Sequence, residues 1–108
     1  MASLGIDIGC ISLKAALVGD PDDGDLFARL LAERPDLFQR PGDGLTTVEG
    51  RPLLVTVYRR IKGGPAEATQ ALLDDLRALL PADALRGVRV TGSGARLVGE
   101  ALGATFEN

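Results

Sequence analysis

The chain has no histidine, no tryptophan and a single cysteine. Without histidine, the usual zinc ligand sets and any Ser-His or Cys-His nucleophile pair are excluded within this chain. A lone cysteine excludes an internal disulfide. Aromatic residues are scarce, so the core must pack on aliphatic side chains, and Leu, Ala and Val are abundant enough to supply it. No apolar run approaches the length that spans a bilayer, and the N-terminus lacks the basic flank and apolar stretch of a secretory signal, so a cytoplasmic protein with no membrane partner is expected. The net charge is −3 and Lys and Arg form no long stripe, which argues against nucleic acid as a partner. Any catalysis must therefore run on carboxylates, hydroxyls, lysine and backbone amides.

With 108 residues of which 45% are apolar, the sequence fits one packed domain spanning 1–108. Leu4, Ile6 and Ile8 alternate with Gly5 and Asp7, the period of a strand. After Gly9 and Cys10 a second strand is expected from Ile11 to Val18, with Ile11, Leu13, Ala15 and Leu17 on one face and Ser12, Lys14, Ala16 and Val18 on the other. The two form a hairpin.

From 20 to 50 the composition turns to Asp, Pro and Gly, and reads as an acidic, Pro/Gly-rich insertion carrying one short helix that begins near Asp25, with Leu26, Phe27, Leu30 and Leu31 on its apolar side. Asp20, Asp22, Asp23 and Asp25 lack the spacing of a calcium-binding loop, so a solvated turn is expected there. Strand character resumes from Pro52 to Arg60 beside the hairpin. "YRRIK" at its end reads as a solvated edge that discourages strand pairing.

Pro65 suits the first turn of a helix whose apolar stripe is Ala68, Leu72, Leu73, Leu76, Leu79 and Leu80, with Pro81 as its stop. A short strand follows from Gly87 to Thr91. After it come the turn "TGSGAR", a helical pattern in Leu97, Val98, Ala101 and Leu102 ended by Gly103, and the start of a strand at 104–107. "TGSGAR" is either a ligand-binding turn, with Arg96 facing a cleft or a partner, or a tight connection with Ser93 as helix cap. The expected class is α/β: a mixed sheet in the order β-β-β-α-β-α-β, a hairpin meander followed by parallel crossovers.

The hairpin "LGIDIGCISLK" holds the chemistry. A glycine-rich turn exposes backbone N–H groups that can converge on a phosphate oxygen, and Gly9 removes a Cβ that would hold the phosphate away. Lys14 shares a face with Ser12, where its ammonium reaches a terminal phosphate. Asp7 suits a magnesium ion held through water, because that ion keeps much of its hydration. The bland alternative is a turn permitted by Gly9, capped by Asp7, with Lys14 a solvated strand charge. Cys10 is expected to be small and half-buried without a redox role, since nothing basic adjacent in sequence would stabilise its thiolate.

"LGIDIGCISLKAALV" resembles the first phosphate-binding hairpin of the actin, sugar kinase and heat-shock ATPase superfamily. Together with "VYRRIKGGPAEATQALLDDL" and "VTGSGARLVGEALGATFEN", it resembles the ATP-dependent activators of 2-hydroxyacyl-CoA dehydratases and benzoyl-CoA reductases, the BadF/BadG activase family. The acidic stretch between residues 20 and 50 matches poorly.

The resemblance implies a ribonuclease-H-like, actin-like ATPase subdomain, the N-terminal one, whose complete form binds ATP and Mg2+ between two lobes. It implies hydrated magnesium at Asp7, which would be the catalytic carboxylate. Backbone contacts to phosphate would come from Gly9, Cys10, Ile11 and Ser12, and a phosphate-tail contact from Lys14. Cys10 departs from the Ser or Thr usual there, and a thiol is a poorer donor. For the complete family protein the resemblance implies an iron-sulfur cluster bridging a homodimer, with ligands outside this chain, and a CoA-ester dehydratase or reductase as partner. The chain alone is then expected to be inactive. A sugar or small-molecule kinase fragment of the same superfamily, and a non-catalytic interaction module, are the alternatives.

Overall fold

A computed structural model describes residues 1–40, 45–62 and 64–92, and the backbone of 105–106. Strands β1 (Ala2–Ile8) and β2 (Ser12–Val18) form the central antiparallel hairpin, with Asp7 opposite Lys14 and Gly5 opposite Ala16. A 3-10 turn (Pro21–Asp23) leads into helix α1 (Gly24–Glu33). The short β3 (Thr47–Val48) and β4 (Arg51–Val55) are joined by Glu49 and Gly50, both at positive φ, the twist that a tight hairpin requires. Then come β5 (Arg59–Arg60), helix α2 (Pro65–Leu79), β6 (Leu85–Gly92) and β7 (Thr105–Phe106).

The sheet is mixed, in the order β3-β4-β2-β1-β6-β7, with β5 pairing the start of β2. β2 is antiparallel to β1 and to β4, whereas β6 is parallel to β1 and to β7. An α/β architecture with a hairpin meander and parallel neighbours is thus present.

Alternation decides which face is buried. Ala2, Leu4, Ile6 and Ile8 of β1, Leu13, Ala15 and Leu17 of β2, Leu54 of β4 and Val90 of β6 form one apolar layer. Phe27 and Leu30 of α1 and Leu72, Leu73 and Leu76 of α2 join the same buried cluster. Each fully buried Leu, Ile or Phe side chain contributes roughly 1.5–3 kcal/mol relative to exposure. The opposite face, with Ser3, Gly5 and Asp7 exposed and Lys14 and Ala16 half-buried, has no described helix over it.

Several expectations are corrected. Ile11 is not in β2: it sits in the hairpin turn, 65% exposed. The single strand expected from Pro52 to Arg60 is two, split near Thr56. There the Thr56 N–H donates to the Ala15 carbonyl at 2.8 Å, but the Ala15 N–H donates to Oγ1 of Thr56, also at 2.8 Å, in place of the Thr56 carbonyl that a regular ladder would use. The Thr56 carbonyl instead accepts from Nε2 of Gln39.

The "YRRIK" edge is itself paired: Arg60 lies opposite Ser12 and Arg59 opposite Leu13, and the Arg59 guanidinium pairs with Asp75 of α2. The helix expected near Asp25 is α1, and the described residues that follow it also reach the core. Phe27, Leu30, Leu37 and Phe38 are buried, and the Gln39 N–H donates to the Val55 carbonyl at 2.7 Å.

The acidic turn is not merely solvated either. Asp20 accepts from Arg86, from Arg51 at 3.2 Å and from the Met1 ammonium at 3.1 Å. Asp23 accepts from the Asp20 N–H at 2.8 Å and from the same ammonium at 3.2 Å. The expected helix over Leu97–Leu102 and the "SGAR" part of the turn lie outside the described residues. Among the described residues, no helix is long and apolar enough to cross a membrane.

Candidate phosphate-binding face

Strand register places the sequence-selected residues in rows across the open face of the sheet. One row runs Lys14, Asp7, Thr91, because Asp7 is opposite Lys14 on one side and level with Thr91 on the other. The next row runs Val55, Ala16, Gly5, Arg89, and beyond it lie Leu53, Val18, Ser3 and Gly87. The row nearest the turn carries Lys14, Asp7 and the Thr91 hydroxyl, and the small Gly5 and Ala16 follow it in the next row. Gly5 and Ala16, having little or no side chain, leave a cleft of about 420 Å³ between Val55 and Arg89, with Asp7, Lys14 and Thr91 at its polar rim.

The Lys14 ammonium donates to the Tyr58 hydroxyl at 3.0 Å and stands 4.8 Å from the centre of that ring. The Tyr58 hydroxyl holds the Lys14 pKa above its ordinary 10.5, with the Asp7 carboxylate adding a smaller push in the same direction. Lys14 is therefore a fixed cation across the neutral range.

The turn residues divide. The Gly9 N–H donates to the Ser12 carbonyl at 2.8 Å, so this amide is used inside the hairpin rather than turned outward. A Cβ on Gly9 would lie 3.1 Å from that same carbonyl oxygen, which gives the glycine a steric reason of its own. Cys10 is exposed and forms no disulfide, a correction to the half-buried position expected for it. The Ile11 carbonyl accepts from the Ile61 N–H at 2.7 Å, anchoring the turn to the segment after β5. Ser12 is half-buried on the Lys14 face.

Gly92 is the residue that sequence reading passed over. It ends β6 with φ of +101°, and a Cβ there would lie 2.2 Å from the Ile8 carbonyl oxygen and 2.9 Å from Oδ1 of Asp7. Only glycine lets β6 close against β1 while leaving the Asp7 carboxylate clear. The "TGSG" string carries a signal for it, but not its neighbour. Tyr58 is likewise invisible as a site residue, because 44 positions separate it from Lys14.

One accessible carboxylate suits an ion that keeps most of its water, and an ammonium in the same row supplies the opposite charge for phosphate oxygens. The acidic trio Asp20, Asp22 and Asp23 also brings three carboxylates within 4.8 Å of one another, but Asp20 and Asp23 already face cations of the protein itself. Cation neutralisation there is internal. Compared with known proteins, the chain matches no family model and no curated sequence.

Proposed function

We propose that this chain is the N-terminal, nucleotide-phosphate-binding subdomain of an ATP-dependent activator, of the kind that drives electron transfer to a 2-hydroxyacyl-CoA dehydratase or benzoyl-CoA reductase. The observation that carries the reading is the register of Asp7 with Lys14 across a hairpin closed by Gly9, beside a parallel strand that ends in Gly92. A hairpin flanked by an antiparallel strand on one side and parallel strands on the other also suits a ribonuclease-H-like sheet.

In this reading Asp7 holds hydrated Mg2+ through its waters, and Lys14 binds the phosphate tail. The Ser12 hydroxyl and the backbone of Cys10 and Ile11 line the turn. Bound magnesium would neutralise phosphate charge, and Lys14 would keep a second positive charge fixed beside it. Gly92 keeps the carboxylate unobstructed. An iron-sulfur cluster and the acyl-CoA enzyme partner belong to the reading of the complete protein and use no residue of this hairpin. One hairpin supplies only one side of the electrostatic cradle that phosphoryl transfer needs, so hydrolysis by this chain alone is expected to be negligible.

Titration calorimetry with MgATP tests the reading. Lys14→Ala should weaken binding about tenfold or more, the scale of a charge-assisted hydrogen bond, and Asp7→Asn should remove the dependence on magnesium. No binding to the wild-type chain, or equal affinity in wild type and both variants, would overturn it.

A further inference from the structure

Tyr58 is 62% exposed, so burial does not explain where its ring sits. Its neighbours are nevertheless anchored on both sides. The Val57 N–H donates to the Leu37 carbonyl at 2.9 Å, and Arg59 is paired with Leu13 in the sheet and with Asp75 on α2 through its guanidinium. The break between β4 and β5, created where Thr56 takes the Ala15 amide on its side chain, falls at this residue. Three elements thus fix a short exposed segment whose ring and hydroxyl both contact one ammonium, that of Lys14.

A lysine ammonium on a four-carbon stem is a mobile point charge with three donor hydrogens. Tyr58 takes one of them at 3.0 Å and sets its ring face beside the charge, leaving two hydrogens for another acceptor. We infer that Tyr58 is a positioning residue, which holds the Lys14 ammonium in the Asp7 row at the rim of the open-face cleft so that it meets a phosphate oxygen there. The inference deepens the proposed function and rests on it for the identity of the ligand. Tyr58 itself need not touch the nucleotide: its hydroxyl acts through Lys14.

Tyr58→Phe keeps the ring and removes the hydroxyl of an exposed side chain, so the fold is retained. Two measurements on the whole chain decide the matter. By NMR relaxation, the Lys14 side chain should become more mobile in Tyr58→Phe. By calorimetry with MgATP, Tyr58→Phe should weaken binding about fivefold in the wild-type background and not at all in the Lys14→Ala background, since the hydroxyl is asked to supply part of one ion–hydroxyl hydrogen bond. Unchanged Lys14 mobility would overturn the inference, as would an equal loss of affinity in both backgrounds, which would mean direct contact. Binding that Lys14→Ala weakens but Tyr58→Phe leaves intact sinks the positioning role alone. If wild type binds no MgATP, or binds it as Lys14→Ala does, the functional reading fails and the inference fails with it.

Discussion

The carbonyl oxygen of Ile8 lies 2.2 Å from the point a Cβ on Gly92 would occupy. Two parallel strands meet there with no room for a side chain, and Oδ1 of Asp7 lies 2.9 Å from the same point. Gly92→Ala combines this clash with a left-handed φ and should destabilise the fold by about 2–4 kcal/mol. Urea unfolding followed by circular dichroism reads the effect, since the chain has no tryptophan. Gly87 is the control: it lies in the same strand with nothing within 4 Å of its Cβ position. Gly87→Ala should leave the midpoint nearly unchanged or raise it slightly. Equal midpoints for the two variants would show that the close approach is not real.

Phe27 tests whether the stretch between 20 and 50 belongs to the core. Its ring is fully buried in the cluster shared with β1, β2 and α2. Phe27→Ala should cost about 3–5 kcal/mol, as for other buried aromatic truncations, because the cavity collapses only in part. If unfolding of this variant matched wild type within about 1 kcal/mol, the segment would be a dispensable insertion after all.

Asp20 makes stability depend on pH at both ends of the range. Its carboxyl pKa is held below the ordinary 3.8, first by the Arg86 guanidinium and then by the Met1 ammonium. Its contribution is therefore full above 3.8 and lost as pH falls through the lower folded value. The Met1 ammonium is shifted the other way, above its ordinary 8.0, by hydrogen bonds to Asp20 and Asp23. That contribution is full below 8.0 and lost as pH rises through the higher folded value.

Asp20→Asn should therefore lower the thermal midpoint by a constant amount between these limits. The gap should close below pH 3.8 and narrow only partly above 8.0, where Arg86 and Arg51 still pair with the carboxylate. Melting curves across pH check this. A gap independent of pH would remove Asp20 from both pairs.

Much of the architecture was legible along the chain. Period-two alternation in β1 and β2 sorted Leu4, Ile6, Ile8, Leu13 and Leu17 to the buried face, and the stripe of Leu72, Leu73 and Leu76 marked α2 between Pro65 and Pro81. Between 20 and 50 the apolar side of α1 was legible too, but the burial of Leu37 and Phe38 after it was not. Pro, Asp and Gly between 20 and 50 do mark turns, yet the few large apolar residues among them, Phe27, Leu30, Leu37 and Phe38, are enough to fix the segment into the core. The split of the third strand had no signature, because it depends on a Thr56 hydroxyl finding one amide on β2.

By itself the sequence determined the hairpin but not its register: a second strand starting at Ile11 would not set Asp7 opposite Lys14, whereas the longer turn that takes in Ile11 does. It also determined which face carries them, because the opposite positions are aliphatic and must be buried. Tertiary structure alone decided the company they keep. Gly92 comes against Ile8 and Asp7 only because β6 pairs in parallel with β1, and Tyr58 reaches Lys14 only because β5 folds back onto the start of β2. Contacts between residues far apart in the chain depend on strand order and on the side chains that anchor it, and no local pattern encodes those distances.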